Sequence, residues 1–125
     1  MKKIFLVFGI LSVFAVSAYA ADKFYSSLFM IRFLHCLPTN MKFSAIIGES
    51  NVTHERHILN WHNNMCGYKV VETIDDETDT YTCDLTRDQV TEFAYAMRRD
   101  PDGVGDAKTY WENLKADENS CKEED

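Results

Sequence analysis

Apolar and polar residues alternate along several stretches in the middle of the chain, with the period of two that is typical of strands with one buried face. The alternation is clearest in residues 41–47 and 80–85, and β-prone runs also occupy residues 56–61 and 65–71. These segments predict an antiparallel meander of three or four strands. Residues 52–56 fit either a strand or a helical stripe, and we favour a strand because β-branched residues agree with it.

Turn-forming segments separate the predicted strands. Adjacent asparagines tolerate the positive φ of tight turns, so Asn63-Asn64 predicts a hairpin centred between the two residues. The register that follows has three facing pairs, namely Trp61 with Cys66, Leu59 with Tyr68, and His57 with Val70. Residues 48–51 predict a second turn. The acidic segment 75–79 predicts a solvated loop before the last strand.

An N-terminal helix is predicted from the apolar residues that precede the meander. Asp22 is the predicted cap, and the helix continues from Lys23 to about Leu34 before Pro38 stops it. Apolar residues occupy most sides of this helix, so it needs cover on most sides. We expect it to pack across the sheet, and the alternative is an exposed surface for a membrane or a partner.

Two further helices are predicted after the meander. Thr86 and Gln89 have the spacing of a capping box, and the helix that they begin should end before Pro101. Asp106 is the predicted N-cap of the last helix, and residues 115–125 should be charged and loose except at Cys121. The predicted fold class is α+β, with an N-terminal helix, an antiparallel β-meander of three or four strands and two C-terminal helices, stabilised by disulfides.

Residues 1–20 have the features of a secretory signal peptide, with a basic start, an apolar run and the small-x-small site Ala18-Tyr19-Ala20. Cleavage after Ala20 would leave residues 21–125 as a single small α+β domain, periplasmic or secreted, without stable membrane insertion. The alternative is an uncleaved membrane anchor, because the apolar segment approaches the length of a spanning helix.

The charge of the chain limits its partners. Its formal net charge is −7, and removal of the leader would remove two of its lysines. Nucleic acids and anionic membrane surfaces both require basic patches on a protein, so neither is an expected partner.

Four cysteines lie after the predicted leader, namely Cys36, Cys66, Cys83 and Cys121. An even number of cysteines in an exported chain predicts two disulfides. If the acidic loop centres near Glu77, Cys83 faces Val71, and Cys66 then lies about 16 Å from that position along its strand. A disulfide needs Cα atoms within about 7 Å, so a bond between Cys66 and Cys83 is disfavoured. Of the two remaining pairings, we slightly prefer the one with Cys36 bonded to Cys83.

No motif in the sequence predicts a metal, a cofactor or a catalytic residue. The histidines of His54-Glu55-Arg56-His57 lie three apart, whereas the zinc-protease helix needs them four apart, and surface histidines are the expected reading. Asp100, Asp102 and Gly105 resemble the start of a calcium loop, but the twelfth position is Trp111 instead of a glutamate.

The function that fits these observations best is a non-enzymatic module of the cell envelope or extracellular space that binds another protein. It predicts an apolar or aromatic patch that stays exposed once the helices cover the sheet. The alternative is a small secreted hydrolase or inhibitor-like effector, in which His57 or His62 meets the acidic loop in a cleft. A third hypothesis is a subunit of an envelope assembly. The sequence does not specify an oligomeric state.

Overall fold

The computed structural model describes residues 23–124, so the predicted leader lies outside the described residues. The helices are α1 (Ser27–Leu34), α2 (Arg87–Arg99) and α3 (Asp106–Ala116). The strands are β1 (Thr39–Ile47), β2 (Ser50–His62), β3 (Met65–Ile74), β4 (Glu77–Leu85) and β5 (Cys121–Glu124). The predicted α+β class is confirmed, and the ambiguous segment 52–56 belongs to a strand.

The five strands form one antiparallel sheet in the order β1-β2-β3-β4-β5. Strand β5 follows the two C-terminal helices and returns to pair with β4, where Cys121 lies opposite Cys83. The prediction of a loose tail therefore does not hold for Cys121–Glu124. A charged tetrapeptide has too little alternation of apolar and polar residues to predict a strand. Pairing with β4 and the disulfide hold this segment in the sheet.

The core lies between one face of the sheet and the helices. Residues of alternate parity on β2, β3 and β4 bury their side chains, among them Ile58, Tyr68 and Cys83. They meet Phe29 and Phe33 of α1, together with residues of α2 and α3. Within residues 23–124 no helix combines the length and the hydropathy that a membrane span requires.

The hairpin between β2 and β3 has the predicted turn. Asn63 and Asn64 both adopt positive φ, at 53° and 64°. Trp61 faces Cys66, as predicted, but the other two predicted pairs are wrong, because Ile58 and not Leu59 faces Tyr68. The register shifts between Ile58 and Asn60, where one additional residue forms a β-bulge.

The acidic loop between β3 and β4 is shorter than predicted. Only Asp75 and Asp76 form the turn, and Glu77 already pairs with Ile74. Asp75 adopts the positive φ, 55°, that so tight a turn requires. As a result, Cys83 faces Tyr68 and not Val71.

Two disulfides join Cys36 to Cys66 and Cys83 to Cys121. The structure thus contains one of the two pairings left open by the sequence, and the slight preference for a bond between Cys36 and Cys83 is wrong. Cys36 follows α1 directly, so its bond fastens the C-terminal end of that helix to β3. Structural disulfides form and persist in oxidising compartments.

The helix termini confirm one predicted cap and correct two others. Thr86 and Gln89 form the predicted capping box, and α2 ends at Arg99, before Pro101. Helix α1 begins only at Ser27, with Ser26 as its cap, because Phe24 and Tyr25 are already committed to other contacts. Asp106 is the first residue of α3 and not its cap.

Candidate functional site

The two histidines of the alternative hypothesis do not meet the acidic segment. His62 adjoins the turn at one end of β3, whereas Asp75 and Asp76 form the turn at its other end. His57 lies in the middle of β2, on the sheet face opposite to the buried Arg56, where its Nδ1 is 2.6 Å from Oδ1 of Asn40. The predicted convergence of these groups in a cleft is therefore wrong.

The carboxylates of the calcium-like segment serve a loop and a helix. Asp100 accepts hydrogen bonds from the backbone N–H groups of Val104 (3.2 Å), Gly105 (2.6 Å) and Ala107 (3.0 Å). These bonds hold the pKa of Asp100 below its usual value, although its slight burial acts in the opposite direction. Within residues 23–124 no group of three or more His, Cys, Asp and Glu residues is placed to hold a metal ion.

A buried chain of polar side chains lies beneath the N-terminal part of α1. Arg56 is fully buried, and its Nε–H donates to Nδ1 of His54 at 2.8 Å. Because Nδ1 accepts this bond, the ring proton of neutral His54 lies on Nε2, which donates to Oε2 of Glu72 at 3.0 Å. We call Arg56, His54 and Glu72 the relay. The expectation that His54 is a surface residue is wrong.

Aromatic rings surround the guanidinium of Arg56. Its central carbon lies 4.2 Å from the ring centre of Phe24, 4.5 Å from that of Tyr25 and 5.2 Å from that of Phe29. Its Nη1 and Nη2 atoms are buried and have no hydrogen-bond partner among the described residues. Attraction between the cation and the rings offsets part of the cost of burying its charge.

Glu72 is the acceptor in which the relay ends. Its Oε2 also accepts from the indole N–H of Trp111 at 2.7 Å, and its Oε1 lies 3.1 Å from Nζ of Lys115. Burial alone would raise the pKa of Glu72, but the hydrogen bonds from His54 and Trp111 outweigh it and lower this pKa to about 2. Glu72 is therefore ionised at neutral pH and balances the charge of Arg56 through the imidazole.

The protonation state of His54 follows from its surroundings. Burial lowers its pKa below the usual value, and the positive charge of Arg56 acts in the same direction, against the pull of Glu72. The relay connects several elements of the fold. Its evident role is to fasten β2, β3, α3 and the segment before α1 to one another.

A different kind of surface lies on the other side of α1, between α1 and α2. Its lining consists of Ser27, Met30, Ile31 and Leu34 from α1, and of Ala94, Tyr95 and Arg98 from α2. This groove has a volume of about 290 Å³. Ile31 is 58% exposed and Tyr95 is 49% exposed, so its walls are apolar and open to solvent.

The sequence of α1 explains why the groove is apolar. The helix directs Phe29 and Phe33 into the core, but four of its other residues are apolar as well, and two of these, Leu28 and Ile31, stay more than half exposed. A helix that only covered a sheet would carry polar residues on this side. The sequence indicated too many apolar residues in α1, but the location of the groove depends on how α1 and α2 meet.

One charged group lies in the groove. Arg98 lines it and makes no ion pair with any residue of the described chain, whereas the neighbouring Arg99 pairs with Asp106 at 3.1 Å. A guanidinium at an apolar surface is suited to bind a carboxylate of a partner.

Comparison with family models, curated proteins and solved structures finds no significant similarity to this chain. The chemistry of its own surface is therefore the basis for a functional assignment.

Proposed function

We propose that this chain is a non-enzymatic binding module, periplasmic or secreted, and that the groove between α1 and α2 takes a short amphipathic segment of another protein. The observation that carries the proposal is the groove itself, in which half-exposed Ile31 and Tyr95 lie beside the unpaired Arg98. The two disulfides and the signal-like leader support a location outside the cytoplasm.

The apolar lining supports a protein partner because the exposed half of the Ile31 and Tyr95 side chains is not buried by folding of this chain. Burial of apolar surface stabilises a complex by about 25 cal/mol per Å². A partner that covers this patch would therefore gain binding free energy from it. Aromatic residues and Arg are also the types enriched where proteins bind each other.

The size of the groove argues against a large cofactor. Ligand pockets span about 300–1,000 Å³ and enclose most of the ligand surface. This groove is at the lower limit of that range and is open, so it suits two or three apolar side chains that project from one helical segment.

Arg98 specifies the charge of the partner. In a chain with a net charge of −7, acidic partners are repelled in general, but Arg98 places a positive charge in the groove itself. We expect the bound segment to carry Asp or Glu beside its apolar residues. A single arginine is too little for an anionic membrane surface, which attracts clusters of basic residues.

Selection from a random peptide library tests the proposal. The exported, oxidised chain should enrich peptides with apolar residues at helical spacing and one or more acidic residues. NMR shift changes on binding should centre on Ile31, Tyr95 and Arg98. Tyr95→Ser should abolish binding, and Val104→Ser is the matched control, because Val104 is 78% exposed but does not line the groove.

Several outcomes would overturn the proposal. Enrichment of no sequence class, or shift changes that map to another surface, would show that the groove is not the binding site. Self-association that Tyr95→Ser abolishes would assign the groove to a second copy of this chain and not to a different protein.

A further inference from the structure

The segment before α1 lies directly on the relay. We call residues 24–26 the strap. The Phe24 ring lies 4.8 Å from the His54 ring and covers the Arg56 guanidinium, which Tyr25 also covers. Ser26 caps α1 by accepting the N–H of Phe29 at 3.2 Å. The first turn of α1 therefore follows directly after the residues that cover the buried imidazole of His54.

Few hydrogen bonds hold the strap in place. Its one backbone hydrogen bond to a distant part of the described chain runs from the N–H of Tyr25 to the carbonyl of Pro101 at 2.8 Å. The Ser26 hydroxyl also donates to Sδ of Met41 at 3.5 Å. The other end of α1 is tied covalently, because Cys36 is bonded to Cys66. The rings of the strap also pack on Phe43, Phe29 and Phe93, so the strap can lift only when these apolar contacts open.

The relay tolerates only one protonation state of His54. Its Nδ1 accepts a hydrogen bond from Arg56, and its Nε2–H donates one to Glu72. A second proton can bind only at Nδ1, where the lone pair already accepts the bond from Arg56. Proton uptake there breaks the bond from Arg56 and places two cations side by side in a dry site. The charged groups that face His54 are Arg56 on its own strand, Glu72 on β3 and Lys115 on α3, while the strap contributes only rings.

We propose that His54 is an acid-sensitive latch beneath α1. A proton from solvent adds to Nδ1 of His54, and the hydrogen bond from Arg56 breaks. The strap then lifts and lets water reach the two cations, and the N-terminal half of α1 moves with the strap. Ser27, Met30 and Ile31 leave α2, and the groove is lost. This inference rests on the proposed function in one respect: if the groove binds a partner, loss of the groove would release that partner.

The direction of the effect follows from linkage. His54 binds a proton more readily with the strap lifted, where its pKa returns towards the usual value near 6.5. Acidification therefore favours the lifted state, and the ratio of lifted to closed molecules rises by at most about tenfold for each pH unit below that value. Glu72 stays ionised throughout this range, because its pKa is about 2.

Amide hydrogen exchange, corrected for intrinsic rates, tests the latch without any partner. Protection of the amides in residues 29–34 should fall up to tenfold per unit between pH 6.5 and 5, and it should stay below that of the β3 amides, which exchange only when the whole fold opens. In His54→Gln the protection of α1 should not depend on pH, because glutamine can accept from Arg56 and donate to Glu72 but does not titrate. His57→Gln is the control on the open face, and it should behave as the wild type.

The latch is overturned if His54→Gln loses protection as the wild type does, if α1 keeps its protection at pH 5, or if α1 and β3 have equal protection at every pH. Should His54→Gln fail to fold, the ring shifts of His54 in the wild type replace it, and they must titrate together with the amide shifts of α1. Titration of His54 without a change in α1 would refute the latch. Because no peptide is present, these results do not depend on whether the groove binds one.

Discussion

The relay and the groove share α1 but differ in what they give to the fold. On the relay side, Phe29 and the strap cover a chain of hydrogen bonds that links Arg56, His54 and Glu72. On the groove side, Ile31 contacts solvent, and Arg98 has no carboxylate among the described residues. The relay is enclosed within the molecule, whereas the groove is open to solvent. This difference indicates that the buried polar chain maintains the fold, and it is the reason why we propose a partner for the exposed apolar surface.

The largest expected effect comes from removing the acceptor of the relay. Glu72→Ala leaves His54 and Trp111 without this acceptor and removes the counter-ion of Arg56, while Lys115 keeps only Glu112, so the free energy of unfolding should fall by about 3–5 kcal/mol. Urea unfolding measures this loss. Glu55→Ala is the control, since Glu55 is a more exposed carboxylate on the other face of the same sheet, and its loss should stay below about 1 kcal/mol. Equal losses in the two variants would show that the relay adds nothing special.

Opening the disulfide at the end of α1 should affect both regions. The double variant Cys36→Ala with Cys66→Ala should lose about 2–4 kcal/mol in unfolding free energy, because the unfolded chain regains the freedom of the open loop. Amide exchange should show the loss of protection first in α1. Exchange that rises first in β4 would contradict the assignment of this bond to the anchoring of α1.

Acid should weaken the relay in two ranges of pH. His54 and Glu72 both have lowered pKa values in the fold, so the unfolded chain binds more protons than the folded chain in acid, and stability falls as the pH falls. The contribution of His54 is lost below about pH 6.5, by at most about 1.4 kcal/mol per unit. That of Glu72 is lost between its usual pKa and about 2. Chemical unfolding across pH, compared with His54→Gln, should isolate the first range, and identical slopes would contradict it.

The smallest effect on stability is expected in the groove. Ile31→Ser and Tyr95→Ser remove apolar groups that are already half exposed, so the free energy of unfolding should change by no more than about 0.5 kcal/mol each. Thermal or urea unfolding measures this change. A loss comparable to that of Glu72→Ala would mean that these side chains belong to the core.

The local signals in the sequence predict much of the fold. Asn63-Asn64 specifies its turn, Thr86 and Gln89 specify the start of α2, and the alternation specifies the strands. These features depend on neighbours in sequence. The bulge before Asn60 does not, because it depends on packing across strands, and it shifts the predicted pairs that lie farther from the turn, at Ile58 and before it.

The two sites were predictable to different degrees. The inward parity of Ile58 extends to Arg56 and His54 and could have revealed their burial, but a buried arginine contradicts the usual preference of that residue for the surface. The partners Glu72 and Trp111 are distant in sequence. The strand register places Glu72 opposite His54, and the packing of α3 on the sheet brings Trp111 to Glu72. The exposed patch was expected, whereas its place between α1 and α2 depends on the angle at which two helices pack.

The central claim is that the outer side of α1 is kept apolar for a partner and is not needed by the fold. The most direct test is a fluorescence anisotropy titration of a labelled peptide from the library selection against three proteins: the wild type, Ile31→Ser with Tyr95→Ser, and Val104→Ser. The account predicts that the double variant loses at least tenfold in affinity while Val104→Ser binds as the wild type does. Equal affinity of all three proteins would contradict it.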